Sequence, residues 1–143
     1  MTKELFKRYF ANPIITADDL PYQANSVFNT GATEFAGETL LLLRVEDRRG
    51  ISHLQVATST DGITNWHINE WQTLVPNTFY PEETWGIEDA RVTYLEVYET
   101  WCIAHCAYSA TGPVVALATT HDWMTFTRLG IVMPPPNKDA ALF

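Results

Sequence analysis

Three short stretches set charged residues inside sequence that otherwise reads as β-strand. They are Arg44-Val45-Glu46-Asp47-Arg48-Arg49, Gly86-Ile87-Glu88-Asp89-Ala90-Arg91 and Asn137-Lys138-Asp139-Ala140. Each alone fits a solvated turn laced with surface ion pairs. Brought together, they suit the cleavage of a glycosidic bond. That reaction needs a proton donor for the leaving oxygen and a nucleophile on the opposite face of the sugar. A hydrolase adds a second carboxylate to activate water. A phosphorolytic enzyme uses phosphate, which is already anionic, and needs a cationic cradle, which arginine supplies through bidentate contacts. The period of two along a strand puts Asp89 and Arg91 on one face. A carboxyl beside an arginine tends to stay ionised, whereas a general acid must hold its proton until the reaction. The sequence leaves that tension open.

Cys102, His105 and Cys106 form a second cluster of chemistry-bearing types. On a strand over Thr100–Tyr108, the two cysteines share a face but stand ~13 Å apart at ~3.3 Å per residue. A disulfide needs Cα atoms within about 7 Å, and His105 points to the other face. Two buried thiols acting as small hydrophobes are expected. No cluster in the chain has ligand spacing that suits a divalent metal.

An internal repeat positions the charged stretches. With a shift of 61 residues, Val56-Ala57-Thr58-Ser59-Thr60-Asp61 falls on Leu117-Ala118-Thr119-Thr120-His121-Asp122, and Glu38-Thr39-Leu40-Leu41-Leu42 falls on Glu99-Thr100-Trp101-Cys102-Ile103. The first unit predicts strands at Ser26–Phe35, Thr39–Val45, Ser52–Ser59 and, more weakly, Trp66–Leu74. The second predicts Ala90–Val97, Thr100–Tyr108, Val114–Thr120 and a fragment at Thr127–Val132. Gly37, Gly50, Gly62 and Gly112-Pro113 punctuate them. Four short strands per repeat describe a blade of a β-propeller, an all-β fold whose rings close with ~4–8 blades. The domain reading is an N-terminal segment over 1–24, one blade over 25–85, a second over 86–136 and the start of a third at 137–143. Two blades leave open edges and a half-built core, so a longer protein is expected. In a propeller the first strand of each blade lines the central channel. Asn25-Ser26, Glu88–Arg91 and Lys138-Asp139 would therefore converge on one axial pocket.

Composition excludes several classes. The chain has 143 residues and a net charge of -8, with no basic patch of the kind that binds nucleic acid. Aliphatic runs such as Leu40 to Leu43 are far below the ~20 residues that span a bilayer. No secretory signal or Asn-x-Ser/Thr sequon is present. A soluble cytoplasmic protein, without nucleic-acid or membrane partners, is expected. Aromatic residues make up 13%. Most belong in a packed interior, although sugar sites also use flat Trp and Tyr faces.

Five blocks carry a resemblance to a known family. Asn12-Pro13-Ile14-Ile15, Asn25-Ser26-Val27-Phe28-Asn29, Arg44-Val45-Glu46-Asp47-Arg48, Gly86-Ile87-Glu88-Asp89-Ala90-Arg91 and Asn137-Lys138-Asp139-Ala140-Ala141-Leu142-Phe143 resemble the signature blocks of glycoside hydrolase family 130. That family comprises β-mannoside phosphorylases and related β-mannosidases. The resemblance implies a five-bladed propeller, with Asp89 as the single catalytic acid. In several members the acid relays its proton through the sugar's 3-hydroxyl. Phosphate then attacks with inversion to give α-mannose 1-phosphate. Asn25, Ser26 and Arg44 match positions that hold the mannosyl unit. Asp47, Arg48, Arg91, Lys138 and Asp139 lie in matching blocks and are candidate substrate contacts. Ala90 replaces a proline frequent in the family.

The implied partners are an oligosaccharide and inorganic phosphate, the latter a co-substrate; no cofactor or metal is implied. Several of the family's phosphate-binding residues lie in later blades. A β-mannosidase of the same fold and an inactive or carbohydrate-binding propeller fragment are therefore the alternative readings. Family members often form homo-oligomers. Leu5, Phe6, Tyr9 and Phe10 fit such a contact and fit a packed edge helix equally well.

Overall fold

A computed structural model describes residues 5–143. The described residues form eight strands: β1 (Ser26–Phe35), β2 (Glu38–Glu46), β3 (Ser52–Ser59), β4 (His67–Ile68), β5 (Gly86–Leu95), β6 (Thr100–Ser109), β7 (Gly112–Thr120) and β8 (Thr127–Met133). Three single-turn 3-10 helices lie between them, at Ala17–Asp19, Pro81–Glu83 and Glu96–Tyr98. Strands β1 to β4 pair antiparallel in sequence order, and so do β5 to β8. A single parallel bridge, Ser52 to Gly86, joins the two units. A Cβ at Gly86, where φ is 135°, would stand 2.9 Å from the Ser52 backbone nitrogen. Only glycine fits that junction.

Alternation explains why β2 reads as an unbroken aliphatic run. Leu40 and Leu42 enter one core with Leu54, Val56, Ile87, Ile103 and Trp123, between the two units. Leu43 and Val45 enter a second core with Leu20 and Ala57, against which Ile15, Tyr22 and Trp66 pack. Both faces of β2 are therefore covered, and no position needs a polar residue. Where β1 approaches β5, a Cβ on Gly31 would lie 3.0 Å from the Ala90 carbonyl oxygen, so the inner strands sit close together.

The weak strand expected at Trp66–Leu74 is reduced to His67–Ile68 and an isolated bridge between Leu54 and Leu74. Side chains replace the ladder there. The Gln55 amide donates to the carbonyls of Asn69 and Trp71, and the Thr73 hydroxyl accepts from the Val56 N–H. The backbone groups are satisfied without a strand. Leu5, Phe6 and Phe10 are exposed and Tyr9 is half-buried, and Leu5–Phe10 contains no helix, which removes the edge-helix alternative for that segment.

The repeat is visible in atomic detail. Asp61 accepts from the N–H groups of Ile63 and Thr64 and from the Thr64 hydroxyl, and the Ser59 hydroxyl donates to it. Asp122 makes the same set with Met124, Thr125 and Thr120. Cys102 and Cys106 are buried free thiols. Burial raises Cys102 and pushes Cys106 up to about 11, so both stay protonated.

Candidate functional site

The site is created by an irregularity in β5. Glu88 pairs with Cys106 and Arg91 with Ala104, so Asp89 and Ala90 together oppose His105 alone. This is a β-bulge. Its first residue, Asp89, has a φ of 53°. In a regular strand Glu88 and Asp89 would point to opposite faces. The bulge turns both carboxylates toward one guanidinium. It also breaks the expected sharing of a face by Asp89 and Arg91. The Arg91 side chain instead donates to the Ala90 carbonyl at 3.2 Å, and Arg91 is exposed.

Arg44, on β2, carries the arrangement. Its Nη1 lies 2.9 Å from Asp89 Oδ1 and its Nη2 2.9 Å from Glu88 Oε1. Its Nε donates to the Ser52 hydroxyl at 2.9 Å. The guanidinium also lies 4.3 Å from the centre of the Phe28 ring, which fixes its plane. Lys138 closes the cluster, with Nζ 2.8 Å from Glu88 Oε2 and 3.1 Å from Asp89 Oδ2. Two anions face two cations. The Asp89 side chain is 5% exposed and that of Lys138 39%, so the lysine is the member in reach of solvent.

A second bulge supplies a neutral donor. In β1, Phe28 pairs with Arg44 and Gly31 with Leu42, leaving Asn29 and Thr30 opposite Leu43. Asn29 has a φ of 41°, and its amide donates to Asp89 Oδ1 at 2.8 Å. Burial by itself would raise the Asp89 carboxyl. The hydrogen bonds from Asn29, Arg44 and Lys138, with the charge of Arg44, outweigh it and hold the group below the ordinary carboxylate range. Desolvation likewise opposes a charged Lys138, yet its bonds to Glu88 and Asp89 raise it above the ordinary lysine value. The ionised pair is thus mutually sustained.

Of the residues singled out from sequence, the fold brings Arg44, Asp89 and Lys138 into direct contact. Asp139 follows Lys138 with a φ of 58°, the left-handed region also occupied by Asn29 and Asp89. Ser26 opens β1 opposite Glu46, and the Asn25 amide donates to the Glu46 carboxylate at 2.7 Å. Asp47 braces its own turn, accepting from Arg49 and from the Ile51 N–H. Arg48 reaches Gln23 at 3.1 Å on the surface. Phe28, Asn29 and Glu88 lie inside the matching blocks without an individual role in the sequence reading, and Ser52 lies outside them. Asn29 lies 60 residues before Asp89, one short of the 61-residue shift that aligns the repeat, so the spacing by itself does not single it out. Among the described residues, no three of His, Cys, Asp and Glu gather as metal ligands would.

The family model for glycoside hydrolase family 130, described as beta-1,4-mannooligosaccharide phosphorylase, matches residues 2–142. The chain belongs to glycoside hydrolase family 130. It is 32% identical to the beta-1,4-mannooligosaccharide phosphorylase of Ruminococcus albus over 99% of this chain and 43% of the relative. It is 28% identical to the beta-1,2-mannobiose phosphorylase of Listeria innocua over 95% of this chain and 53% of the relative. The solved structure of a Listeria innocua beta-1,2-mannobiose phosphorylase in complex with beta-1,2-mannobiose superposes with a TM-score of 0.80 at 27% identity, covering 92% of this chain and 52% of that one. The chain therefore spans about half the length of these relatives. The all-β propeller architecture expected from the repeat is the architecture of this family 130 chain.

Proposed function

We propose that this family 130 chain contributes the acid half of an inverting β-mannoside phosphorylase acting on β-1,4-mannooligosaccharides. The observation that carries the reading is the Asp89 carboxyl, set on a bulge and held by Asn29, Arg44 and Lys138. In the reaction the bond from the anomeric carbon to the glycosidic oxygen breaks, and its electron pair leaves with that oxygen. A proton originating at Asp89 neutralises the leaving oxygen. A phosphate oxygen attacks the anomeric carbon from the opposite face. The products are α-mannose 1-phosphate and an oligosaccharide one unit shorter. Phosphate is the co-substrate and no cofactor takes part.

The acid must first be protonated, and the free site keeps it ionised. Sugar binding answers this. A mannosyl unit entering beside Asp89 strips water from the carboxyl and competes with Lys138 for its oxygens. Both changes raise the carboxyl toward a proton-carrying state. The sugar-contact roles of Asn25, Ser26, Asp47, Arg48, Arg91 and Asp139 belong to this reading.

The hydrolase alternative asks for a second carboxylate across the sugar, about 6.5–9.5 Å from the acid when water attacks with inversion. Glu88 is the carboxylate at hand, but Arg44 spans it and Asp89 from one side. Glu88 therefore stands beside the acid rather than across the sugar from it, so this pair alone does not meet the geometry of an inverting hydrolase.

The deciding experiment incubates the whole protein with β-1,4-mannobiose, with and without phosphate, and follows the products by phosphorus NMR and chromatography. Phosphate-dependent α-mannose 1-phosphate is expected. Free mannose formed without phosphate would establish the hydrolase. No cleavage of this or of β-1,2-mannobiose would leave the carbohydrate-binding reading.

A further inference from the structure

Strands β1 and β5 lie side by side where the two units meet, and no ladder joins them. β1 pairs with β2, and β5 pairs with β6 apart from the single Ser52–Gly86 bridge to β3. Side chains set the spacing of this seam instead. At one end the Asn29 amide reaches Asp89 at 2.8 Å. At the other the Trp101 indole N–H donates to the Thr33 hydroxyl at 3.3 Å, and its ring meets Phe35 edge to face with centroids 5.2 Å apart. Between them lies Gly31, the one buried residue of β1.

A glycine inside a strand weakens it and leaves a buried position with no side chain to pack. Conformation does not ask for it here, since Gly31 is not among the glycines at positive φ. Strand register matches Gly31 with Arg91, because each is the first paired residue after its bulge, and Arg91 is exposed. The bulge therefore tolerates a long side chain at this place. What forbids one at Gly31 is the neighbouring strand. A Cβ there would stand 3.0 Å from the Ala90 carbonyl oxygen and 3.0 Å from a Val92 methyl, so one of them would have to give by a few tenths of an ångström. Val92 packs against the core shared by the two units. The Ala90 carbonyl belongs to the β5 bulge, one residue after Asp89, and accepts from Arg91 at 3.2 Å. Neither turns aside freely, so an added methyl would push the strands apart. Gly31 stands two residues from Asn29, and Ala90 is next to Asp89. The widening therefore falls on the bond between Asn29 and Asp89.

We propose that Gly31 is a positioning residue for Asp89: its missing side chain lets β1 stand close enough to β5 for the Asn29 amide to hold the carboxylate. The effect on turnover rests on the phosphorylase reading, whereas the spacing of the strands does not. Arg44, Glu88 and Lys138, the charged groups gathered around Asp89, are not on β1. Widening the seam thus removes one neutral donor and leaves those charges in the cluster.

The test compares Gly31→Ala and Gly31→Val with the unaltered whole protein. The Asp89 carboxyl carbon, identified by its absence from Asp89→Asn, is titrated by NMR. Its titration should move to higher pH in Gly31→Val, and by less in Gly31→Ala, because a bond that favours the ionised form lengthens. With β-1,4-mannobiose and phosphate, kcat should fall about threefold in Gly31→Ala and about tenfold in Gly31→Val, the latter the scale of one hydrogen bond to a charged group. Added to Asn29→Ala, Gly31→Val should cost less than about twofold more, since the bond on which both changes act is already gone. A titration unmoved by both variants, or a loss that multiplies in full with that of Asn29→Ala, would assign Gly31 to packing alone and overturn the proposal. Should Gly31→Val fail to fold, Gly31→Ala decides by the same two measurements. Should β-1,4-mannobiose not be phosphorolysed, the acid reading fails, and the titration decides the spacing by itself.

Discussion

The bulges of β1 and β5 use one backbone device for two purposes. Each inserts an extra residue, and each places its first residue at positive φ, Asn29 at 41° and Asp89 at 53°. The positions lie 60 residues apart, in corresponding strands of the two units, and their side chains touch. One carries an amide that donates; the other carries a carboxylate that accepts. The repeat thus provides equivalent platforms facing the same space, and the residue type at each platform decides its chemistry. A side chain at such a bulge escapes the strand's alternation, so it reaches inward without disturbing the core contacts of its neighbours.

The sharpest way to break the comparison is to make the two platforms alike. Asp89→Asn keeps size and shape and removes the proton. Phosphorolysis of β-1,4-mannobiose should fall by about 10²–10⁴-fold, the range associated with a general acid. The urea midpoint should also fall, because the amide keeps the Asn29 contact but leaves Arg44 and Lys138 with Glu88 alone to balance them. Turnover near that of the unaltered protein would remove Asp89 from the acid role.

Removing the shared cation is expected to act mainly on stability. Arg44→Ala leaves Glu88 and Asp89 buried beside each other with Lys138 alone to balance them. Breaking a buried pair in this way costs about 3–5 kcal/mol. Urea unfolding of the whole protein measures it. A loss below ~1 kcal/mol would mean that the carboxylates neutralise by taking up a proton.

A subtler change separates donor from acceptor. Asn29→Ala removes one hydrogen bond to the ionised Asp89. The carboxyl should rise toward its ordinary value, because one of the bonds that depresses it is gone. Activity requires the protonated acid and is lost as pH climbs past its pKa. The alkaline limb of the kcat/KM profile should therefore move to higher pH, with a fall in kcat of about tenfold. An unmoved limb would assign Asn29 to geometry alone.

These contrasts also mark what the sequence made legible. Six of the eight strands were read within a few residues, because alternation and turn residues report burial locally. Strand β5 starts at Gly86 rather than Ala90, since the bulge hides its first residues behind two consecutive acids. The facing expected for Asp89 fails for the same cause, as a period of two cannot announce its own interruption. The strand expected at Trp66–Leu74 is shorter because Gln55 and Thr73 satisfy its backbone from the side. The convergence of Arg44, Asp89 and Lys138 follows from stacking the two units and has no local signature. Matching blocks brought those residues into view, and the fold supplied the distances.

The smallest expected effect tests the repeat where no chemistry intervenes. Asp61 and Asp122 hold equivalent turns through the same four contacts, and those hydrogen bonds lower both carboxyls, Asp122 to about 2. A group depressed in the folded state adds stability above its unfolded pKa and loses it as pH falls through the folded value. The contribution of Asp122 should therefore be complete above about pH 4 and vanish toward about pH 2. Asp122→Ala and Asp61→Ala should each lower Tm at pH 7 by a few degrees at most, and the loss should shrink as the buffer is taken through that window. If the turns are equivalent, the two curves of Tm loss against pH should run in parallel. The Asp61 curve should end at lower pH, because that carboxyl is held further below the ordinary range. A loss confined to one turn would mean that its twin is stabilised by what packs on it, Trp123 being buried beside Asp122 whereas Gly62 follows Asp61.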